Sequence, residues 1–64
     1  MKTILKKIDK LIEMLEYGIL TRAEAMLRIR EIRSEISDKF EEGSDNFTRC
    51  IYSLIDANEI AKNI

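Results

Sequence analysis

Apolar residues recur three or four positions apart along almost the whole of this 64-residue sequence. That spacing puts side chains on one face of an α-helix, whereas a half-buried strand would alternate every second residue. The sequence also contains no proline, the residue that most strongly interrupts a helix interior. The spacing therefore predicts an all-α protein. In the first stretch the apolar line consists of Leu5, Ile8, Ile12, Leu15 and Ile19, with Ile4 and Leu11 beside it.

Residues 17–24, which read YGILTRAE, predict a corner between two helices. Gly18 can end the first helix in a left-handed conformation at little cost. Thr21 is a favourable N-cap for the second helix, and Glu24 three positions later completes a capping box. We interpret the segment as a corner and not as a binding loop, because each of these residues already has a structural role.

Residues 41–46, which read EEGSDN, predict the second break in the chain. Gly43 can close the second helix, and Ser44, Asp45 or Asn46 can cap the third. The length allows one domain, residues 1–64. Its predicted helices run over about 3–17, 22–42 and 46–62.

The charges of the first two helices favour an antiparallel hairpin. Folding the first helix back onto the second brings opposite charges together, which selects the antiparallel arrangement over the parallel one. The third helix is expected to pack on this hairpin or on a second subunit. The expected interhelical pairs join Lys2, Lys6 and Lys7 to Glu31, Glu35 and Asp38, and Glu13 and Glu16 to Arg22 and Arg28.

The small size of the chain favours a homodimer. Below roughly 70–80 residues a lone core rarely supplies more than about 3–5 kcal/mol, so such chains commonly rely on a disulfide, a metal or a second subunit. Cys50 is the only cysteine and histidine is absent, which excludes an internal disulfide and argues against a zinc site. A second subunit is the remaining means of stabilisation.

Catalysis is not expected of this sequence. It contains no histidine and no glycine-rich phosphate loop, and so short a chain encloses little of a pocket. Cys50 lies on the apolar stripe of the third predicted helix, where a buried and unreactive thiol is expected. We expect no cofactor. No apolar run approaches the ~20 residues that cross a membrane, so we expect a cytoplasmic protein without a membrane partner.

The function that remains is a noncatalytic protein-interaction module. A small regulatory inhibitor from a virus or mobile element, which binds a host protein, is the specific form we favour. Residues 34–45 carry a local excess of acidic side chains, which would suit a basic surface on that protein. The candidate contact residues lie where the second helix overhangs the first and on the third helix: Phe40, Glu41, Glu42, Asp45, Tyr52 and Ile55.

A small dimeric DNA-binding regulator is the alternative function. Its candidate contacts are the arginines of the second helix, Arg22, Arg28, Arg30 and Arg33. Arg28, Arg30 and Arg33 spread over about 200° of the helix and alternate with acidic residues. The net charge of −1 also gives no general attraction to nucleic acid, which makes this the disfavoured reading.

Residues 11–32 include a stretch, LEYGILTRAE, that resembles the central pattern of the SHOCT (short C-terminal) domain family. The resemblance implies a helical hairpin that acts as an interaction or oligomerisation element, with no known chemistry. This chain departs from the pattern in having Ala25 where the family has an aromatic residue, and in continuing into a third helix. The matching residues are Leu15, Gly18, Ile19, Leu20, Thr21 and Glu24.

Overall fold

The computed structural model describes residues 2–64, and in that range it forms three α-helices and no strand, which confirms the all-α prediction. The helices are α1 (Lys2–Glu16), α2 (Arg22–Lys39) and α3 (Asp45–Lys62). An 18-residue helix is about 27 Å long. Since the molecule measures 32 × 17 × 15 Å, the helices lie side by side as a bundle. Residue 1 of the predicted 1–64 domain lies outside the described residues.

The buried line of α1 differs from the predicted one by a rotation of the helix. Ile4, Ile8, Leu11 and Leu15 are buried, whereas Leu5 and Ile12 are only partly buried. The predicted line had placed Ile4 and Leu11 at its edge. The rotation follows from the packing of α1 against both other helices, because the line facing the centre of the bundle lies between the two contact faces.

The corner between α1 and α2 combines two helix-capping motifs. Gly18 has a φ of 69°, and the N–H groups of Gly18 and Ile19 donate to the carbonyls of Leu15 (3.1 Å) and Met14 (3.1 Å). These two bonds constitute a Schellman motif, which satisfies carbonyl groups that the end of α1 would leave free. The predicted corner is therefore confirmed.

Thr21 caps the start of α2 as predicted, but the glutamate half of the predicted capping box differs, because Glu24 bonds to the threonine hydroxyl and not to its backbone N–H. The N–H of Glu24 donates to the Thr21 hydroxyl oxygen at 3.2 Å, and that hydroxyl donates to Oε1 of Glu24 at 3.0 Å. The Glu24 carboxylate therefore accepts a hydrogen bond from the Thr21 side chain. Leu20, just before the cap, is buried in the core. The corner thus anchors the hairpin by packing as well as by hydrogen bonds.

Helix α2 ends at Lys39, three residues before the predicted end at about residue 42. Phe40 adopts an extended conformation (φ −126°, ψ 145°) and packs, partly buried, against the core. Ser44 then caps α3 by accepting from the N–H of Phe47 at 3.2 Å. Glu41 therefore lies in the connection and not on the helix, because the chain leaves the helix where Phe40 turns towards the core.

Helix α3 packs on the hairpin of its own chain. Cys50, Leu54, Ala57 and Ala61 are all buried, and the three smallest of them have no exposed surface. Small side chains at these positions let the helix backbones approach closely. Helix α3 contacts α1 and α2 more extensively than those two helices contact each other. The bundle core is therefore completed within one chain, because α3 packs against both other helices.

An ion pair confirms the antiparallel arrangement of α1 and α2. Nζ of Lys7, in the first half of α1, lies 2.8 Å from Oε1 of Glu35, in the second half of α2. The other predicted interhelical pairs, which involved Lys2, Lys6, Glu13 and Glu16, do not form among residues 2–64. An exposed ion pair between long side chains contributes little free energy, so these charged side chains can remain solvated at little cost.

Candidate interaction surfaces

The exposed face of α3 holds two of the predicted contact residues on adjacent turns. The side chain of Tyr52 is 66% exposed and that of Ile55 is 46% exposed. Three positions separate them, so they are neighbours on the helix surface. Both lie on the side of α3 opposite to the buried residues, and they form an apolar centre on an otherwise polar face.

This face of α3 has a regular spacing, and we call its six exposed residues the α3 seam. Successive members are three, four, three, four and three positions apart, which keeps them within an arc of about 100°. Charged residues lie at both ends and the two apolar residues lie at the centre. The members of the α3 seam are Asp45, Thr48, Tyr52, Ile55, Glu59 and Lys62.

The other predicted contact residues lie apart from this apolar centre. Phe40 packs partly buried against the core and offers little surface to a partner. Glu41 and Glu42 are exposed in the connection between α2 and α3. Asp45, in the first turn of α3, is the acidic member of the predicted set that continues onto the α3 seam. The structure therefore divides the predicted site into a connection, a core residue and a helix face.

The charges of α2 are separated onto two sides of the helix. At about 100° per residue, Arg22, Arg30 and Arg33 fall within an arc of about 80° that contains no acidic residue. The acidic residues Glu24, Glu31, Glu35 and Asp38 fall within an arc of about 60° on the other side. The prediction that acidic residues alternate with the arginines therefore holds along the sequence and not around the helix.

The four candidate arginines do not form one patch. Arg33 lies over the ring of Phe47 in α3, with its guanidinium carbon 5.3 Å from the ring centre, and it donates a hydrogen bond to Oγ of Ser37. Arg28 instead lines a groove between α1 and α2. Arg22 and Arg30 share the side of α2 that carries Arg33. The arginine surface thus contains three of the four predicted residues.

The groove between α1 and α2 has a volume of about 720 Å³. Its apolar lining comes from Leu11, Met14 and Ile32. Sequence reasoning missed this groove. The sequence signal that accompanies it is the acidic side of α2, which supplies three of the lining residues, Glu31, Glu35 and Asp38. The polar lining residues are Lys7, Lys10, Arg28, Glu31, Ser34, Glu35 and Asp38.

The Lys7–Glu35 pair crosses this groove. The Lys7 ammonium donates to both carboxylate oxygens of Glu35, at 2.8 and 3.0 Å, and Lys39 adds a contact at 3.6 Å. The hydrogen bond from Lys7 lowers the pKa of Glu35 below its ordinary value of 4.5. Desolvation opposes part of this shift, and the positive charges of Lys7 and Lys39 lower the pKa as well. Glu35 is therefore held as a carboxylate.

Cys50 has no exposed surface, which confirms its predicted burial. Within residues 2–64 no three residues of histidine, cysteine, aspartate or glutamate lie close enough together to hold a metal ion. None of the three helices is long and apolar enough to cross a membrane. The described residues present three surface features: an apolar centre on α3, an arginine side of α2 and a groove of mixed charge.

Comparison with known proteins adds no relative to this description. No protein-family model matches the chain, and no curated protein or solved structure gives a significant match. The resemblance of residues 11–32 to the SHOCT hairpin therefore stays a prediction from those residues alone.

Proposed function

We propose that this chain is a noncatalytic protein-interaction module that binds a partner protein on the α3 seam. The observation that carries the proposal is the exposure of Tyr52 and Ile55 side by side on a helix whose opposite face completes the core. Isolated exposed apolar residues are common and need no explanation. An exposed tyrosine beside an exposed isoleucine, with a polar rim, has the composition of an interface centre.

The capping and packing of α3 support this proposal. The face that presents Tyr52 and Ile55 belongs to a helix that is capped at its start by Ser44 and anchored by Cys50 and Leu54. A partner would therefore meet a preformed surface, and little conformational entropy would be lost on binding. A chain of this kind regulates by occupying a surface of another protein, as a small inhibitor does.

Selection from a displayed random peptide library on the immobilised full chain tests the proposal without knowledge of the partner. We expect enriched peptides whose binding is lost in Tyr52→Glu and Ile55→Glu. Leu27→Glu is the matched control, because Leu27 is an exposed apolar residue (55%) on a different helix. Peptides that bind all three variants equally well would contradict the proposal.

A DNA-binding regulator is the second candidate, and the arginine side of α2 favours it. Arg22, Arg30 and Arg33 lie on one side of the helix without an intervening acidic residue, so phosphates could approach them together. Fluorescence anisotropy with a random duplex tests this candidate. Binding that weakens steeply between about 50 and 200 mM salt, and that is lost in Arg22→Ala and Arg30→Ala, would support it. The same measurement on Arg28→Ala is the control, because Arg28 lies on the other side of α2.

A further inference from the structure

We infer that the partner of the α3 seam is a second copy of this chain, bound through an antiparallel α3–α3 contact. This inference rests on the proposed function, since it names the occupant of the same surface. Successive residues of the α3 seam are three, four, three, four and three positions apart, counted from either end. An antiparallel helix with the same sequence therefore meets it in register.

The register brings together residues of complementary chemistry. Tyr52 of one copy meets Ile55 of the other at the centre, and this apolar contact occurs twice because the interface has a twofold axis. Thr48 meets Glu59, so a hydroxyl lies opposite a carboxylate that can accept its hydrogen bond. At the ends Asp45 meets Lys62, which pairs opposite charges. Each member of the seam thus finds a suitable partner in an identical chain.

A parallel arrangement of the two copies lacks this complementarity. In that arrangement each residue meets its own equivalent, so Asp45 meets Asp45, Glu59 meets Glu59 and Lys62 meets Lys62. Three like-charge contacts would oppose association. The charge pattern therefore specifies the antiparallel contact, in the way that flanking charges set the orientation of paired helices.

The seam is free to make this contact. All six of its residues are exposed, and within residues 2–64 its only ion pair is the one between Lys62 and Glu59 of the same helix, at 3.6 Å. That pair is exposed on both sides, so it contributes little and does not prevent Lys62 from reaching the second copy. Arg49 and Asp56, beside the seam, add another opposite-charge contact in the same register.

The contact is small, and its strength follows from its size. One pair of helices with two apolar residues from each chain buries less surface than a standard stable interface. We expect a reversible dimer whose population rises with concentration. The bundle core itself is complete in one chain, so the monomer stays folded when the dimer dissociates.

Sedimentation equilibrium of the full chain, up to about millimolar concentration, tests the inference. We expect the average mass to rise from that of one chain towards that of two. Asp45→Lys and Lys62→Asp should each raise the dissociation constant about tenfold, because each turns two attractive contacts into repulsive ones. Tyr52→Glu should raise it by about thirtyfold or more, as expected for an aromatic residue at an interface centre.

Mixing the two charge variants tests whether the charged ends of the seam meet in the dimer. The weaker association of each variant alone tests the antiparallel register, because a parallel dimer would already oppose like charges in the unmodified chain. One variant carries lysine at both ends of the seam and the other carries aspartate at both ends, so the two should form a mixed dimer although neither pairs well with itself. Circular dichroism of each variant is the control for folding. Leu27→Glu is the control that leaves the dimer unchanged.

A chain that stays monomeric at every concentration, or a dimer that Tyr52→Glu leaves intact, would overturn the inference. Failure of the mixed variants to associate would overturn the contact between the charged ends of the seam. If the monomeric chain still selects peptides in a Tyr52-dependent manner, the proposed function stands and only the second copy is excluded as the partner. If neither self-association nor peptide binding depends on Tyr52, the inference and the proposed function both fail.

Discussion

Lys7 and Glu35 join the two arms of the hairpin through a two-pronged hydrogen bond, with Nζ 2.8 and 3.0 Å from the carboxylate oxygens. It is the one interhelical ion pair among residues 2–64, and it lies where the antiparallel arrangement of α1 and α2 brings opposite charges together. The pair lies across an open groove and is accessible to solvent. It should therefore contribute only modestly to the free energy of unfolding, and that contribution should depend on pH.

The contribution of the Lys7–Glu35 pair should appear in the pH dependence of the free energy of unfolding. The pKa of Glu35 is lowered in the folded state, so its contribution is fully present above the ordinary value of 4.5 and is lost as the pH falls through the folded-state pKa. We expect the free energy of unfolding to fall with decreasing pH in that range, and to fall less in Glu35→Gln. Urea unfolding at a series of pH values measures this. Glu31→Gln, on the same side of α2, is the control and should behave as the unmodified chain does.

Gly18→Ala should destabilise the corner. The φ of 69° at this position is strained for any residue with a β-carbon, although the space around it is open. We expect a loss of about 1 kcal/mol in the free energy of unfolding, and a smaller loss in Gly18→Asn because asparagine tolerates this conformation better. Urea unfolding compares the two. Equal stability of Gly18→Ala and the unmodified chain would show that the Schellman motif is not needed.

Substitutions of Ile8 and Ile19 should differ in their effect on the free energy of unfolding. Ile8 has no exposed surface, whereas Ile19 is 63% exposed just beyond the end of the helix. Ile8→Ala should cost about 2–5 kcal/mol, and Ile19→Ala should stay within about 0.5 kcal/mol of the unmodified chain. Thermal unfolding followed by circular dichroism measures both. Because a lone core of this size rarely supplies more than about 3–5 kcal/mol, Ile8→Ala should remove a large part of the stability of the fold. A similar cost for both substitutions would contradict the observed burial of Ile8 and exposure of Ile19.

The two helix caps should contribute comparable amounts. The hydroxyl groups of Thr21 and Ser44 each accept a hydrogen bond at 3.2 Å from an N–H in the first turn of their helix. Thr21→Ala and Ser44→Ala should each cost about 1 kcal/mol, because an N–H is left without its partner. Ser34→Ala removes a hydroxyl from the middle of α2 and is the control, which should be neutral or slightly stabilising. Chemical denaturation of the three variants provides the comparison.

Local features of the sequence were sufficient to predict the helices and their breaks. The cap Thr21 and the left-handed Gly18 act through contacts within a few positions of the chain, so their roles could be predicted without knowledge of the rest of the fold. For α3 the sequence left Ser44, Asp45 and Asn46 as candidate caps, and the structure shows that Ser44 is the cap. The end of α2 was predicted three residues too late, since the departure of Phe40 from the helix depends on a core that is assembled from distant residues.

The candidate surfaces were predicted less completely than the helices. Tyr52 and Ile55 are exposed and their assignment as contact residues stays a prediction, whereas Phe40 belongs to the rim of the core. The groove between α1 and α2 was not predicted, because a groove depends on how far apart two helices lie. The separation of arginines from carboxylates around α2 is calculable from sequence, yet which side faces α3 is known only from the position of Arg33 over Phe47.

The sequence by itself determined that this protein is made of three helices, where the first corner lies and which residue caps the second helix. These properties arise from interactions between residues close together in the chain. Only the tertiary structure decided which line of α1 faces the core, that Leu20 is buried, and that α3 completes the core of its own chain. The physical reason is that burial depends on the simultaneous packing of three helices, and no single helix carries that information in its own spacing.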